Sequence, residues 1–188
     1  TVQTFNNRVH KCSKTGDVAG MEAVVNQMKA AGLVPDAGTF TPIMMTYGRA
    51  GRFHDVFSAF DQALSAGVNP SVQMLTSCVS AAGRVGRLDL IDRCRALAAQ
   101  HRVAVNQRYF ASLVEAYLRC RQPAKAASVF AECEAAELPI SLQMGGVFCN
   151  FARRMRFGGA EAGALMTRLD ELQGTKRERQ CEDRKSVV

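Results

Sequence analysis

The sequence repeats at intervals of 35 residues, and a period of that size excludes most folds before any single residue is weighed. An aromatic or large apolar residue recurs at Phe5, Phe40, Leu75 and Phe110, and a glycine at Gly16, Gly51 and Gly86. A base recurs at Lys14, Arg49, Arg84, Arg119 and Arg154. Three ladders on one spacing imply a solenoid, in which each unit buries its apolar face only against its neighbours. The 188 residues then count units in a row, not the radius of one central core.

Each period carries two helical patterns. Phe5, Val9 and Cys12 mark one face, and the pattern stops at Thr15-Gly16. Asp17 is placed to cap a second helix with Met21, Val24, Val25 and Met28, which closes before Gly32, and Pro35-Asp36 turns into the next unit. The plan returns with Phe40, Met44 and Tyr47, then Val56, Phe57, Phe60 and Leu64. It returns again with Leu75, Val79 and Ala82, then Leu90, Ile91, Cys94 and Leu97, and with Phe110, Val114 and Tyr117, then Ala126, Val129, Phe130 and Cys133. Pro42 is expected in the first turn of its helix and Pro123 at a helix start, where a missing N–H costs little.

The predicted units are 2–36, 37–71, 72–106 and 107–140, the last one residue short, followed by a degenerate fifth at 141–174. That fifth unit carries Met144, Phe148 and Phe151, a turn at Gly158-Gly159, and Leu165, Leu169 and Leu172. Residues 175–188 are dense in mixed charge and predict a disordered tail. The expected fold class is all-α, a right-handed α-solenoid of stacked helix-turn-helix repeats.

Charge narrows the partners. Lys+Arg 24 against Asp+Glu 17 gives a net +7, which favours a polyanion, nucleic acid first. No apolar stretch approaches the roughly 20 residues that cross a bilayer, so no membrane partner is expected. Seven cysteines lie scattered without CxxC pairs and read as small buried hydrophobes, and His10 with Cys12 is the only close ligand pair, so neither metal nor cofactor is expected. Three histidines without a paired nucleophile, no GxxxxGK[ST] and no acid cluster suited to two-metal chemistry predict that the chain is not an enzyme and has no small-molecule substrate. Gly83-Arg84-Val85-Gly86 has the spacing of a phosphate-clamping GXXG loop, but the period assigns it to an inter-helix turn. The chain opens at Thr1 inside what reads as a first repeat, so upstream sequence, with any targeting peptide, is expected to be missing.

A 35-residue helix-turn-helix unit that opens with Phe or Tyr, turns at Gly and ends in Pro-Asp resembles the pentatricopeptide repeat family. The stretches "TFNNRVHKCSKTGD" and "MKAAGLVPD" carry the likeness most closely. The resemblance implies single-stranded or looped RNA held in a groove lined by first helices. It implies an organellar protein, mitochondrion ahead of plastid, working with other proteins of a larger ribonucleoprotein such as a mitochondrial ribosome. It also implies that a residue early in each first helix and the last residue of the same unit read one base, pairing Asn6 with Asp36, Thr41 with Ser71, and Thr76 with Asn106. Asn with Asp resembles the family's uracil pair and Thr with Asn its adenine pair. Ala111 and Gly145 offer no side-chain donor or acceptor, so base reading is predicted to stop after three units. The family's valine clamp is replaced by Gln3, Gly38, Gln73 and Arg108.

Lys14, Arg49, Arg84, Arg119 and Arg154 are expected to hold phosphates, and five such contacts imply a log-log salt slope of about −3.5. Two alternatives stand beside these readings. Bases complement the last turn of any helix, and Asn, Asp, Ser and Thr are ordinary helix caps. The competing function is a protein-binding scaffold of the same architecture.

Overall fold

The computed structural model describes residues 1–155 together with 163, 165–169 and 171. Gly158-Gly159, Leu172, Cys181 and the expected tail at 175–188 lie outside the described residues. The elements are α1 Val2–Thr15, α2 Val18–Ala30, α3 Ala37–Arg49, α4 Phe53–Ser65, α5 Val72–Val85, α6 Leu88–Gln100, α7 Gln107–Arg119, α8 Pro123–Ala135 and α9 Leu142–Met155. The fold is all-α, and α1, α3, α5, α7 and α9 start 35 residues apart.

That register is set by caps. Immediately before each first helix stands a side-chain oxygen that accepts the N–H three residues on: Thr1 from Thr4 at 3.4 Å, Asp36 from Thr39 at 3.0 Å, Ser71 from Met74 at 3.3 Å, Asn106 from Tyr109 at 3.0 Å and Ser141 from Met144 at 3.1 Å. Each satisfies one of the N–H groups that a helix start leaves without an intrahelical partner. Because Ser141 holds the capping place, α9 begins one residue beyond the expected start of the fifth unit, and the spacing from α7 to α9 is not shortened.

Turns repeat as strictly as caps. Gly16, Gly51 and Gly86 have φ of 74°, 73° and 74°, and Arg121, next on that ladder, keeps the left-handed form at 56°. Gly32 and Gly67 begin a second left-handed ladder that continues through Arg102 at 48° and Glu137 at 55°. A side chain in this region clashes with its own backbone, so packing of the helix pair must impose the turn where glycine has been lost.

Two local expectations are corrected. Asp36 and Thr39 form a reciprocal capping box that starts α3 at Ala37, which puts Pro42 inside the helix rather than in its first turn. The proline's missing N–H leaves the Gly38 carbonyl without its i+4 donor. Likewise α5 runs through Val85, so Gly83, Arg84 and Val85 are helical and only Gly86 forms the turn.

The chain divides into two compact units, Thr1–Val105 and Asn106–Val188. In the first, α1, α3 and α5 pack side by side, each against its own second helix, and α4 also packs on α5. Its core holds Val9, Met21, Met28, Met44, Val56, Phe60, Leu75, Val79 and Ile91. Truncating Phe60, 2% exposed, to alanine is expected to cost about 3–5 kcal/mol. Phe5, expected in the core, is half-buried, because no described helix covers the outer side of α1. In the second unit α7 packs against α8 and α9 around Phe110, Leu113, Tyr117 and Val129, with Phe130 and Phe148 edge to face at 5.2 Å.

Candidate nucleic-acid interface

The residues assigned to base reading are tied to the caps. Asp36, Ser71 and Asn106 occupy the capping place before α3, α5 and α7, so each has spent one acceptor on a backbone N–H. What remains differs in polarity. Asp36 keeps carboxylate oxygen Oδ2 as an acceptor, Ser71 keeps its hydroxyl proton, and Asn106 keeps its amide donors.

Asn6 and Asp36 are brought into direct contact. Asn6 Nδ2 donates to Asp36 Oδ1 at 3.0 Å, and the Thr39 hydroxyl donates to Asn6 Oδ1 at 2.5 Å. Asp36 is exposed, Asn6 half-buried and Thr39 fully buried. Burial pushes the Asp36 carboxyl up, but hydrogen bonds from Asn6, Thr39 and the backbone outweigh it and hold the group below its ordinary range. A Cβ on Gly38 would lie 3.0 Å from Asn6 Nδ2 and 3.2 Å from Asp36 Oδ1, so the glycine keeps that side of the pair clear.

The other pairs differ. No hydrogen bond joins Thr41 to Ser71 among the described residues, and Thr41 lies half-buried on α3. Thr76 donates to its own helix at Val72 O, 2.6 Å away, and belongs to the first unit, whereas Asn106 belongs to the second. Thr39 escaped the sequence reading, although the spacing Asp36-x-x-Thr39 of a capping box marks it.

All five members of the basic ladder lie in the last turn of a first helix. Lys14 and Arg154 are exposed. Arg49 Nη1 donates to Ser13 O at 2.7 Å, complementing the C-terminal end of the preceding first helix, as the dipole alternative anticipates. Arg84 lies over the Phe53 ring at 5.8 Å, and Arg119 grips Glu115 one turn back at 2.7 and 3.1 Å. Arg49 and Arg119 thus have internal partners, and among the described residues no carboxylate pairs with Arg84.

A second polar cluster joins α2, α3 and α4. Tyr47 donates to Glu22 at 3.0 Å, and Arg52 bridges Glu22 at 2.8 Å and Asp55 at 2.6 Å while stacking over the Tyr47 ring at 4.8 Å. Burial, then the Glu22 bond, pushes the Tyr47 hydroxyl up to about 12. Glu22, Tyr47 and Asp55 rim a cavity of about 290 Å³ whose apolar wall includes Val25, Pro35, Phe40 and Ile43.

Known proteins share this repeat. The PPR repeat model matches residues 3–33 and 38–68, which are α1 with α2 and α3 with α4. Those two stretches are pentatricopeptide repeats. The chain is 36% identical over 67 residues to the pentatricopeptide repeat-containing protein ATP4 homolog, chloroplastic, of Oryza sativa subsp. japonica. That match takes in 36% of this chain and 10% of the relative, so the chain spans about a tenth of the relative's length. The pentatricopeptide fold is shared with the PPR domain of Arabidopsis thaliana protein-only RNase P 1 in complex with tRNA, at TM-score 0.68, 15% identity and 79% coverage of both chains. It is shared also with PPR10 in complex with an 18-nt psaJ RNA element, at TM-score 0.67 and 18% identity over 98% of this chain and 28% of that one.

Proposed function

We propose that this pentatricopeptide repeat chain holds single-stranded or looped RNA along its first-helix faces, without catalysing a reaction, as a subunit of an organellar ribonucleoprotein. The observation that carries the reading is the Asn6–Asp36 contact. It turns one amide N–H and one carboxylate oxygen outward together, the two groups needed to meet a base that offers a carbonyl beside an N–H. Uracil has that edge. Ser71 and Asn106, whose remaining groups donate, suit bases that offer a ring acceptor, with Thr41 and Thr76 beside them in their units' reading places.

Lys14 and Arg84 serve as phosphate contacts on the first unit, with Arg49 held partly by Ser13. Arg154, with Arg119 held by Glu115, serves on the second. Two protein–RNA complexes among the structural relatives support RNA as the ligand class, and in the protein-only RNase P the matched part is the PPR domain, which supports a non-catalytic role. The chloroplastic relative supports plastid over the mitochondrial location, and the mitochondrial ribosome, expected from sequence.

Fluorescence anisotropy with a labelled A/U-rich nine-nucleotide RNA at low salt tests the reading. Binding that Lys14→Glu with Arg84→Glu abolishes supports it, while absent binding, or binding indifferent to that double change, favours the protein scaffold.

A further inference from the structure

The reading pair has a third member that touches no base. Thr39 is fully buried, so its hydroxyl must find partners inside the protein. It accepts from the Asp36 backbone N–H at 3.2 Å, and its oxygen, with a single proton to give, lies 2.5 Å from Asn6 Oδ1 and 3.1 Å from Asp36 Oδ1. The shorter bond takes the proton. Asn6 is then held at both ends of its amide, oxygen to Thr39 and nitrogen to Asp36. Turned round, the amide would press its oxygen against a carboxylate oxygen and its NH2 against a hydroxyl already engaged as an acceptor from the backbone.

We infer that Thr39 is a positioning residue for base selection: by fixing the Asn6 amide, it makes the Asn6–Asp36 edge present donor then acceptor, which accepts uracil or guanine and rejects cytosine. The inference rests on the RNA reading above. Uracil and guanine offer a carbonyl beside a ring N–H, whereas cytosine offers an amino group beside a ring acceptor, opposing like with like at both bonds. Only the first pair has this device among the described residues, because the place of Thr39 is taken by Met74 in the first turn of α5 and by Tyr109 in the first turn of α7. Without the hydroxyl, Asn6 Oδ1 loses its partner in a half-buried place, and the amide turns toward water.

The test uses the whole chain and the ribo-oligonucleotides AAAAUAAAA, AAAACAAAA and AAAAGAAAA, with circular dichroism to check that each variant folds. Wild type and Thr39→Ser are expected to prefer the uracil or guanine RNA over the cytosine RNA by about tenfold, the worth of one well-placed pair of hydrogen bonds, and Thr39→Val by less than twofold. The uracil and guanine RNAs compared with each other tell which base the site takes. A Thr39→Val variant that keeps the wild-type ratio overturns the inference. A wild type that binds all three RNAs equally overturns it too, yet leaves RNA holding intact. A second readout needs neither variant nor RNA. In the free wild type, the Asn6 amide proton given to Asp36 is expected to exchange with solvent at least fivefold more slowly than its twin, and equal rates overturn the positioning role even if no RNA binds.

Discussion

Asn6 Nδ2 donates to Asp36 Oδ1 across 3.0 Å and 30 residues of sequence, tying α1 to the cap of α3. The bond gives the carboxylate a lower folded than unfolded pKa. A group of that kind contributes stability that is present above its unfolded pKa, about 3.9, and is lost as pH falls through the folded value. Asn6→Ala is expected to move the Asp36 titration upward in NMR, shrink this acid-side contribution and cost about 1 kcal/mol at neutral pH. An unchanged Asp36 titration would contradict the contact.

The left-handed turns predict stabilising substitutions. Arg121→Gly, Arg102→Gly and Glu137→Gly each replace a strained residue on a ladder that glycine occupies elsewhere, and each is expected to gain about 0.5–1 kcal/mol. Urea denaturation reads the gain as a higher midpoint at unchanged slope. A loss at all three would mean that the side chains, not the turn, hold these corners.

Arg49 and Lys14 share a ladder but not a role. Arg49→Ala removes a bond to the end of α1 and is expected to lower stability by about 1 kcal/mol, whereas exposed Lys14→Ala is expected to change it by less than about 0.5 kcal/mol. Thermal melts of the two variants check the difference.

Tyr47 predicts an alkaline effect. Its folded pKa lies above the unfolded one, so its contribution is fully present below about pH 10 and disappears as pH rises through about 12. Ultraviolet titration is expected to show an ionisation near 12 that is lost in Tyr47→Phe.

Much of this architecture was legible in the ladders. The period located the helices, and of the faces read at helical spacing Val9, Met21, Phe60, Phe130 and Cys133 lie in the core, whereas Cys12, Val25, Tyr47, Leu64, Leu90 and Leu97 are half-buried. Asp36, Ser71 and Asn106 were legible as recurring polar ends, though not as caps whose bonding fixes the polarity of what remains. Three features depended on partners one repeat away. Thr39 bonds Asn6 across 33 residues, Arg49 finds Ser13 across 36, and Tyr47 finds Glu22 across 25. Local pattern reports which face a residue takes, but not which atom of the neighbouring repeat meets it. Pro42 was misplaced for a local reason, since the start of α3 depends on a capping box whose second half is a side-chain bond.

The central claim is that first-helix cations hold an RNA backbone, and the salt dependence of RNA affinity tests it most directly. With Lys14 and Arg84 each neutralising one phosphate, the log-log slope is expected to be about −1.4 or steeper for the wild type, and to lose about 1.4 in Lys14→Ala with Arg84→Ala. A slope near zero, or one that the double variant leaves unchanged, would contradict the account.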